Sequence, residues 1–157
     1  MRAWRTAVLL ALGAAWGCAA HRASPPPELR GRAALLLVAG PEGDAQRRAL
    51  QAAVPAVAWA DVDALRRTLR RNPGLAPEPD ALPTPPPPLG RERRLPDPWA
   101  TALRRYAAVT DARWVVWLQP APPEGWALRL VDARTGAVLY VARGSDPVAL
   151  LTALAGP

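Results

Sequence analysis

The chain has 157 residues, a formal net charge of +7 and 20 positive side chains, all of them arginines. The arginines are scattered in pairs among acidic residues and form no dense basic block, so the charge does not indicate nucleic-acid binding. Without the first 17 residues, about 140 remain, which suits a single domain with a modest core.

The first 17 residues have the layout of an export signal. Arg2 and Arg5 precede an apolar stretch from Thr6 to Trp16, and small residues stand before Cys18. A membrane-spanning helix needs roughly 20 apolar residues, and this stretch is shorter. We therefore predict a cleaved signal peptide at residues 1–17.

Cys18 is the only cysteine. An intramolecular disulfide is therefore impossible, and a free thiol is unexpected in an exported protein. Ala15-Trp16-Gly17-Cys18 resembles the lipobox of bacterial lipoproteins, although the bulky Trp16 departs from its pattern. The resemblance implies cleavage after Gly17, a diacylglycerol on the Cys18 sulfur and a further acyl chain, such as palmitate, on the new amino group. The alternatives are an unmodified thiol at Cys18 and plain secretion with cleavage after Ala20.

The residue after Cys18 bears on where the protein is anchored. Ala19 stands where lipoproteins retained at the inner membrane of enteric bacteria have aspartate. By that resemblance, the lipid on Cys18 would hold the protein in the outer membrane, facing the periplasm, if the cell has two membranes. No other hydrophobic segment is needed, because each buried methylene contributes about 0.8 kcal/mol to anchoring.

A proline-containing tether precedes the predicted domain. Residues 18–32 contain Pro25-Pro26-Pro27 and show no apolar periodicity, which predicts an extended spacer. A single α/β domain is then predicted for residues 33–157. Its first element is a strand buried on both faces, since Ala33–Ala39 is a short, continuous apolar run.

Two helices are predicted next, with the short strand Val57–Ala60 between them. Asp44 is placed to cap a helix to about Val54, and Asp61 or Asp63 to cap a helix that ends at Arg71. Arginine pairs are predicted to mark the solvent-facing sides of the helices in this chain: Arg47-Arg48, Arg66-Arg67, Arg70-Arg71 and Arg104-Arg105.

The proline density of residues 75–96 excludes a helix or a central strand there. Composition favours a solvated linker inserted in the domain, and the alternative is a polyproline ligand for a partner. Asp97-Pro98 then starts a helix with an apolar stripe at Trp99, Ala102, Leu103 and Tyr106.

The last third of the chain predicts three strands and a closing helix. The strands are Trp114–Leu118, Trp126–Val131 and Ala137–Ala142, of which the last two form a β-hairpin around Asp132–Gly136. Asp146-Pro147 repeats the helix-start signal for the closing helix.

Two motifs in this region resemble envelope proteins of the TolB amino-terminal, CsgG-like and LpoB-like families. Thr110–Val116 is similar to the point where a helix runs into an "Ala-Asp-tyrosine-valine" strand, and Asp132–Gly136 to an "Asp-x-x-Thr-Gly" strand end. The resemblance implies a small three-layer α/β domain with a mixed sheet and a role in envelope assembly or regulation, without catalysis. The alternative is an unrelated hairpin, because Asp, Thr and Gly are also favourable turn residues.

The sequence offers little material for catalysis. The one histidine, His21, lies in the tether, and no Gly-rich phosphate loop or zinc spacing is present. Asp61 and Asp63 are a possible acid–base pair, but acids at a helix start stabilise the helix dipole. We therefore predict no enzyme activity, no cofactor and no metal.

Trp114 and Trp117 are three residues apart in a strand, so they should face opposite sides, one of them toward a partner. The sequence thus predicts a non-enzymatic cell-envelope lipoprotein, attached to the membrane through Cys18, that acts through contacts with an unidentified envelope protein. The alternative is a module that binds cell-wall glycan or a small ligand through exposed aromatic residues.

Overall fold

The computed structural model describes residues 28–40, 43–83 and 93–156. Cys18, the predicted signal peptide and most of the predicted tether lie outside these ranges. Inside them, the chain folds into one mixed sheet with helices on both faces, which confirms the predicted small α/β domain. Within these ranges, no helix has the length and hydropathy needed to cross a membrane.

The sheet has five strands in the order β2-β1-β3-β4-β5. β1 (Ala33–Val38) lies between β2 (Ala58–Trp59) and β3 (Trp114–Pro120) and is parallel to both. β4 (Trp126–Asp132) and β5 (Ala137–Gly144) continue the sheet in antiparallel pairs. The continuous apolar run of β1 is explained by this position, because a parallel strand covered on both faces has no solvent side.

The helices form the two outer layers. α1 (Gly43–Ala53) and α4 (Pro147–Ala155) pack on one face of the sheet, and α2 (Val62–Arg71) and α3 (Trp99–Thr110) pack on the other. Each face has its own hydrophobic core. The three layers that the family resemblance implied are therefore present.

Side chains of β3 alternate between these two cores. Trp114 packs in the core beneath α1 and α4, and Trp117 packs in the core beneath α2 and α3. The predicted opposite orientation is correct. Both tryptophans are buried, however, so the expectation that one of them faces a partner is wrong.

Two of the predicted helix caps are confirmed by hydrogen bonds. The Asp61 carboxylate accepts from the backbone N–H groups of Asp63 and Ala64 at the start of α2. The Asp146 carboxylate accepts from Val148 N at 2.8 Å, and Pro147 is the first residue of α4. Short polar side chains at these positions satisfy N–H groups that a helix start leaves unpaired.

The other two predicted caps differ in detail. α1 begins at Gly43, so Asp44 lies within its first turn and pairs with arginines instead of capping the helix. α3 begins at Trp99, one residue later than predicted. Asp97 accepts from the backbone N–H and the hydroxyl of Thr101, which still stabilises the first turn.

Segments predicted as spacers contribute to the core at their ends. Leu29 is fully buried, and its N–H donates to the carbonyl oxygen of Leu154 at 2.8 Å, so the last residues of the predicted tether belong to the domain. In the proline-rich segment, Leu82 and Leu95 are buried, and Pro79–Ala81 forms a turn of 3-10 helix. The ends of that segment are not the solvated linker that the proline density predicted; residues 84–92 lie outside the described ranges.

Tyr106 ties this segment to α3. Its side chain is fully buried, and its hydroxyl donates to the carbonyl oxygen of Pro77 at 2.6 Å. We expect Tyr106→Phe to lower the free energy of unfolding by about 1 kcal/mol at neutral pH, because the hydrogen bond from the buried hydroxyl to Pro77 is lost.

The same substitution should change the response to alkali. Burial raises the pKa of the Tyr106 hydroxyl, so above about pH 10 the unfolded chain releases this proton while the folded domain keeps it. The contribution of Tyr106 is therefore complete below the unfolded pKa and declines as the pH rises. Denaturant unfolding at about pH 8 and about pH 11 should show that the difference in free energy of unfolding between wild type and Tyr106→Phe is smaller at the higher pH. A difference in free energy of unfolding that is the same at both pH values would contradict a raised pKa for the buried Tyr106 hydroxyl.

Candidate functional site

A pocket of about 380 Å³ opens at the carboxyl end of β1. Its apolar lining includes Leu37, Val62, Leu82 and Trp117. Ligands of α/β domains commonly bind outside the carboxyl ends of strands, where connections leave toward opposite faces of the sheet. Here the chain passes from β1 to α1 on one face and from β2 to α2 on the other. The pocket therefore lies where this fold class favours a ligand.

Gly43 allows α1 to approach the end of β1 closely. A Cβ atom on Gly43 would overlap the carbonyl oxygen of Val38. The N–H of Gly43 donates to the carbonyl oxygen of Gly40 at 3.1 Å, and Gly40 has φ +122°, which favours glycine. The sequence showed these residues only as the end of a strand, so their role at the pocket was not predicted.

Arg47 and Arg66 form the polar wall of the pocket, and both are buried. They are 4% and 8% exposed, respectively, so the prediction that they lie on solvent-facing helix sides is wrong. The helical period contains the missed signal. Arg47 precedes the buried Leu50 by three residues, and Arg66 precedes the buried Leu69 by three, so each arginine belongs to the apolar stripe of its helix.

Aspartates compensate both buried arginines. The Nη1 atom of Arg66 lies 2.5 Å from both carboxylate oxygens of Asp44, and its Nη2 atom donates to Asp80 at 2.8 Å. The Nη2 atom of Arg47 donates to Asp63 at 2.9 Å. The hydrogen bond from Arg66 holds the pKa of the Asp44 carboxyl below its usual value. These ion pairs connect α1, α2 and the 3-10 turn around one end of the sheet.

The arrangement serves structure better than catalysis. Within the network, the carboxylates face the solvent, since the side chains of Asp44 and Asp80 are 47% and 70% exposed, while the guanidinium groups lie behind them. The pocket lining contains no histidine, serine or cysteine to act as a nucleophile or base. Across the part of the chain that the structure describes, no three His, Cys, Asp or Glu side chains come together as metal ligands. Asp61 and Asp63 do not form an acid–base pair: Asp61 caps α2, and Asp63 binds Arg47.

The tryptophans of the domain do not provide an exposed platform for stacking sugars. Trp114 and Trp117 are buried, and the remaining three are partly buried. The indole N–H of Trp59 donates to Val54 O at 2.9 Å, and that of Trp99 donates to Pro83 O at 3.1 Å. These bonds fix the rings against the domain. The alternative in which exposed aromatics bind glycan therefore has no such surface among the described residues.

The Asp-x-x-Thr-Gly motif shapes the β4–β5 turn. The buried Asp132 carboxylate accepts from Arg134 N at 2.9 Å and from Arg113 Nη2 at 2.8 Å. Thr135 Oγ1 accepts from Ala137 N, and Gly136 has φ +71°. Turn geometry and one ion pair account for these residues.

Comparisons with known proteins give a fold relationship and no sequence relationship. No protein-family model matches the chain, and no curated protein sequence matches it. The LpoB C-terminal domain from Escherichia coli matches with a TM-score of 0.50 at 15% identity, over 74% of this chain and 82% of that chain.

Two further solved structures are similar. The LpoB C-terminal domain from Salmonella enterica has a TM-score of 0.46 at 18% identity, covering 73% of this chain and 82% of that chain. The NMR structure of E. coli LpoB has a TM-score of 0.45 at 12% identity, with coverages of 92% and 82%. At such low identity the likeness concerns the fold alone. The described domain shares the fold of the E. coli LpoB C-terminal domain, one of the families that the sequence motifs resemble.

Proposed function

We propose that this protein is a lipid-anchored lipoprotein of the bacterial cell envelope, that it has no enzyme activity, and that it acts by binding another envelope protein. The observation that carries the proposal is the position of Cys18. The sole cysteine of the chain follows a signal-like segment and precedes a domain with an LpoB-like fold. In the pocket, the carboxylates of Asp44 and Asp80 are both engaged by Arg66, which supports a binding role over a catalytic one.

The tether sets how far from the membrane the domain can act. About ten residues separate Cys18 from the first buried residue, Leu29, and an extended polyproline-type chain rises about 3.1 Å per residue. An extended tether would therefore place the domain up to about 30 Å from the lipid surface. From an outer-membrane anchor, that distance restricts its partners to proteins that project close to the same membrane.

Metabolic labelling with a fatty-acid analogue tests the anchor. We expect the wild-type chain to incorporate the label and to sediment with membranes, because acyl chains on Cys18 partition into the bilayer. Cys18→Ser removes the sulfur nucleophile and should abolish both properties. Ala19→Ser is the matched control, since it alters the neighbouring residue and leaves the sulfur in place. Equal labelling of wild type and Cys18→Ser, or recovery of both in the soluble fraction, would overturn the proposal.

A further inference from the structure

Part of the sheet carries positive charge that no ion pair among the described residues compensates. On the face that α2 and α3 cover, Trp117 of β3 lies opposite Arg129 of β4. Two residues further along, Ala127 of β4 has Gln119 of β3 on one side and Arg143 of β5 on the other. Gln119, Arg129 and Arg143 therefore point to the same side of the sheet, on adjacent strands. We call these three residues the arginine surface.

Two buried polar atoms of the arginine surface lack partners within the part of the chain that the structure describes. The Nη1 atom of Arg129 and the Oε1 atom of Gln119 are buried and have no hydrogen-bond partner among the described residues. Burial, followed by the nearby charge of Arg143, lowers the pKa of Arg129. The buried Arg47 and Arg66 also each have an Nε atom without a partner, but their guanidinium charges are paired with aspartates, whereas the charge of Arg129 is not paired within the described ranges. A desolvated cation beside a like charge is unfavourable unless an anion joins it.

The arginine surface borders the β5 edge of the sheet. At the start of β5, Val138 N donates to Arg93 O at 2.7 Å, and Leu95 N donates to Gly136 O at 2.9 Å. Beyond Val138, no described residue pairs with this edge of β5, and Leu139–Ala142 are only partly buried. An edge strand of this kind offers N–H and C=O groups to another extended chain.

We propose that the arginine surface and the edge of β5 beyond Val138, which no described residue occupies, bind an extended acidic segment of the protein partner. The segment would add to the sheet beside β5 and place carboxylates against Arg143 and Arg129. Neighbouring strands are about 4.8 Å apart. Arg143 on β5 would therefore lie one strand spacing from the added chain and Arg129 on β4 two, distances that a Glu side chain and an Arg side chain can bridge together. This inference rests on the proposed function and names the chemistry of its partner.

Two features favour a peptide over a phosphate-bearing surface. A carboxylate and a phosphate would both satisfy the guanidinium groups, but only a polypeptide would also pair with the backbone edge of β5. The partly buried apolar side chains of β5 would in addition contact alternate side chains of an added strand.

The absence of lysine from the sequence permits a specific test. Arg143→Lys in the full-length chain creates its sole lysine. A carbodiimide activates a carboxylate or a phosphomonoester and joins it to a lysine amine in direct contact, as an amide or a phosphoramidate, with release of a urea. The reagent would be applied to intact cell envelopes that contain the anchored protein. Arg48→Lys is the matched control, because Arg48 is exposed on α1, in the opposite layer.

We expect a discrete adduct from Arg143→Lys, mapped by mass spectrometry to an Asp or Glu of another protein, at a yield at least about tenfold above that of Arg48→Lys. Adding Arg129→Gln should reduce the yield by about tenfold, because the second guanidinium no longer holds the acidic segment. Thermal unfolding would establish that each variant is folded.

Equal yields from Arg143→Lys and Arg48→Lys, or no adduct from either, would overturn the inference. A yield that does not depend on Arg129, or an adduct to lipid phosphate, would overturn it as well. Fatty-acid labelling of the same cells separates the two proposals, since failure of the docking site leaves the label on Cys18 unchanged.

Discussion

Arg66→Ala is expected to lower the free energy of unfolding by about 3 kcal/mol, because it breaks the ion pairs with two aspartates and removes a buried side chain. Arg66 binds Asp44 and Asp80 together and so connects α2 to α1 and to the 3-10 turn. The expected loss is at the lower end for buried pairs, since the aspartates are partly exposed and regain water. Denaturant unfolding measures the change.

Arg67→Ala is the matched control for Arg66→Ala. Arg67 is the next residue of α2, and its side chain is 59% exposed. Its Nη2 atom lies 3.6 Å from Oδ2 of Asp61. An exposed pair of this kind contributes less than about 1 kcal/mol. Equal losses of unfolding free energy from the two substitutions would contradict the claim that the ion pairs of the buried Arg66 stabilise the domain.

Acid should reduce the effect of Arg66→Ala. Because Arg66 lowers the pKa of Asp44 in the folded state, the pair stabilises the domain above the unfolded pKa of about 4 and loses this effect as the pH falls through the lowered value. The difference in free energy of unfolding between wild type and Arg66→Ala should therefore become smaller below about pH 4.

Gly43→Ala is expected to lower the free energy of unfolding by about 2–4 kcal/mol. The added methyl overlaps the carbonyl oxygen of Val38 and must push α1 away from β1. The backbone atom of a central strand cannot move aside as a flexible side chain would. Thermal unfolding measures the loss.

Gly74→Ala separates this overlap from the general effect of replacing glycine. A Cβ at Gly74 meets nothing within 4 Å. The substitution should be neutral or stabilise by up to about 1 kcal/mol, because alanine reduces the freedom of the unfolded chain. A similar loss from both substitutions would show that the close approach of α1 to β1 is not the cause.

The sequence predicted those elements whose cause is local. The apolar run of β1 follows from burial on both faces, and the starts of α2 and α4 follow from Asp61 and Asp146, whose carboxylates accept from the next turn. The β4–β5 hairpin was predictable because its turn residues favour only a few backbone conformations.

Contacts between distant segments were not predictable in the same way. Arg66 belongs to an arginine pair that is typical of a solvent-facing helix, and its burial depends on where α1 places Asp44. Leu29 was assigned to the tether because only the docking of α4 supplies its partner, Leu154. The arginine surface was missed for a related reason: Arg129 and Arg143 become neighbours only through the register of β4 and β5.

The mass of the N-terminal tryptic peptide of the protein, isolated from membranes, tests the central claim most directly. We predict a peptide that spans residues 18–22, with diacylglycerol on the sulfur of Cys18 and an acyl chain on its amino group. A peptide that begins at His21, or one that carries an unmodified Cys18 thiol, would contradict the claim that lipid on Cys18 anchors this domain in the envelope.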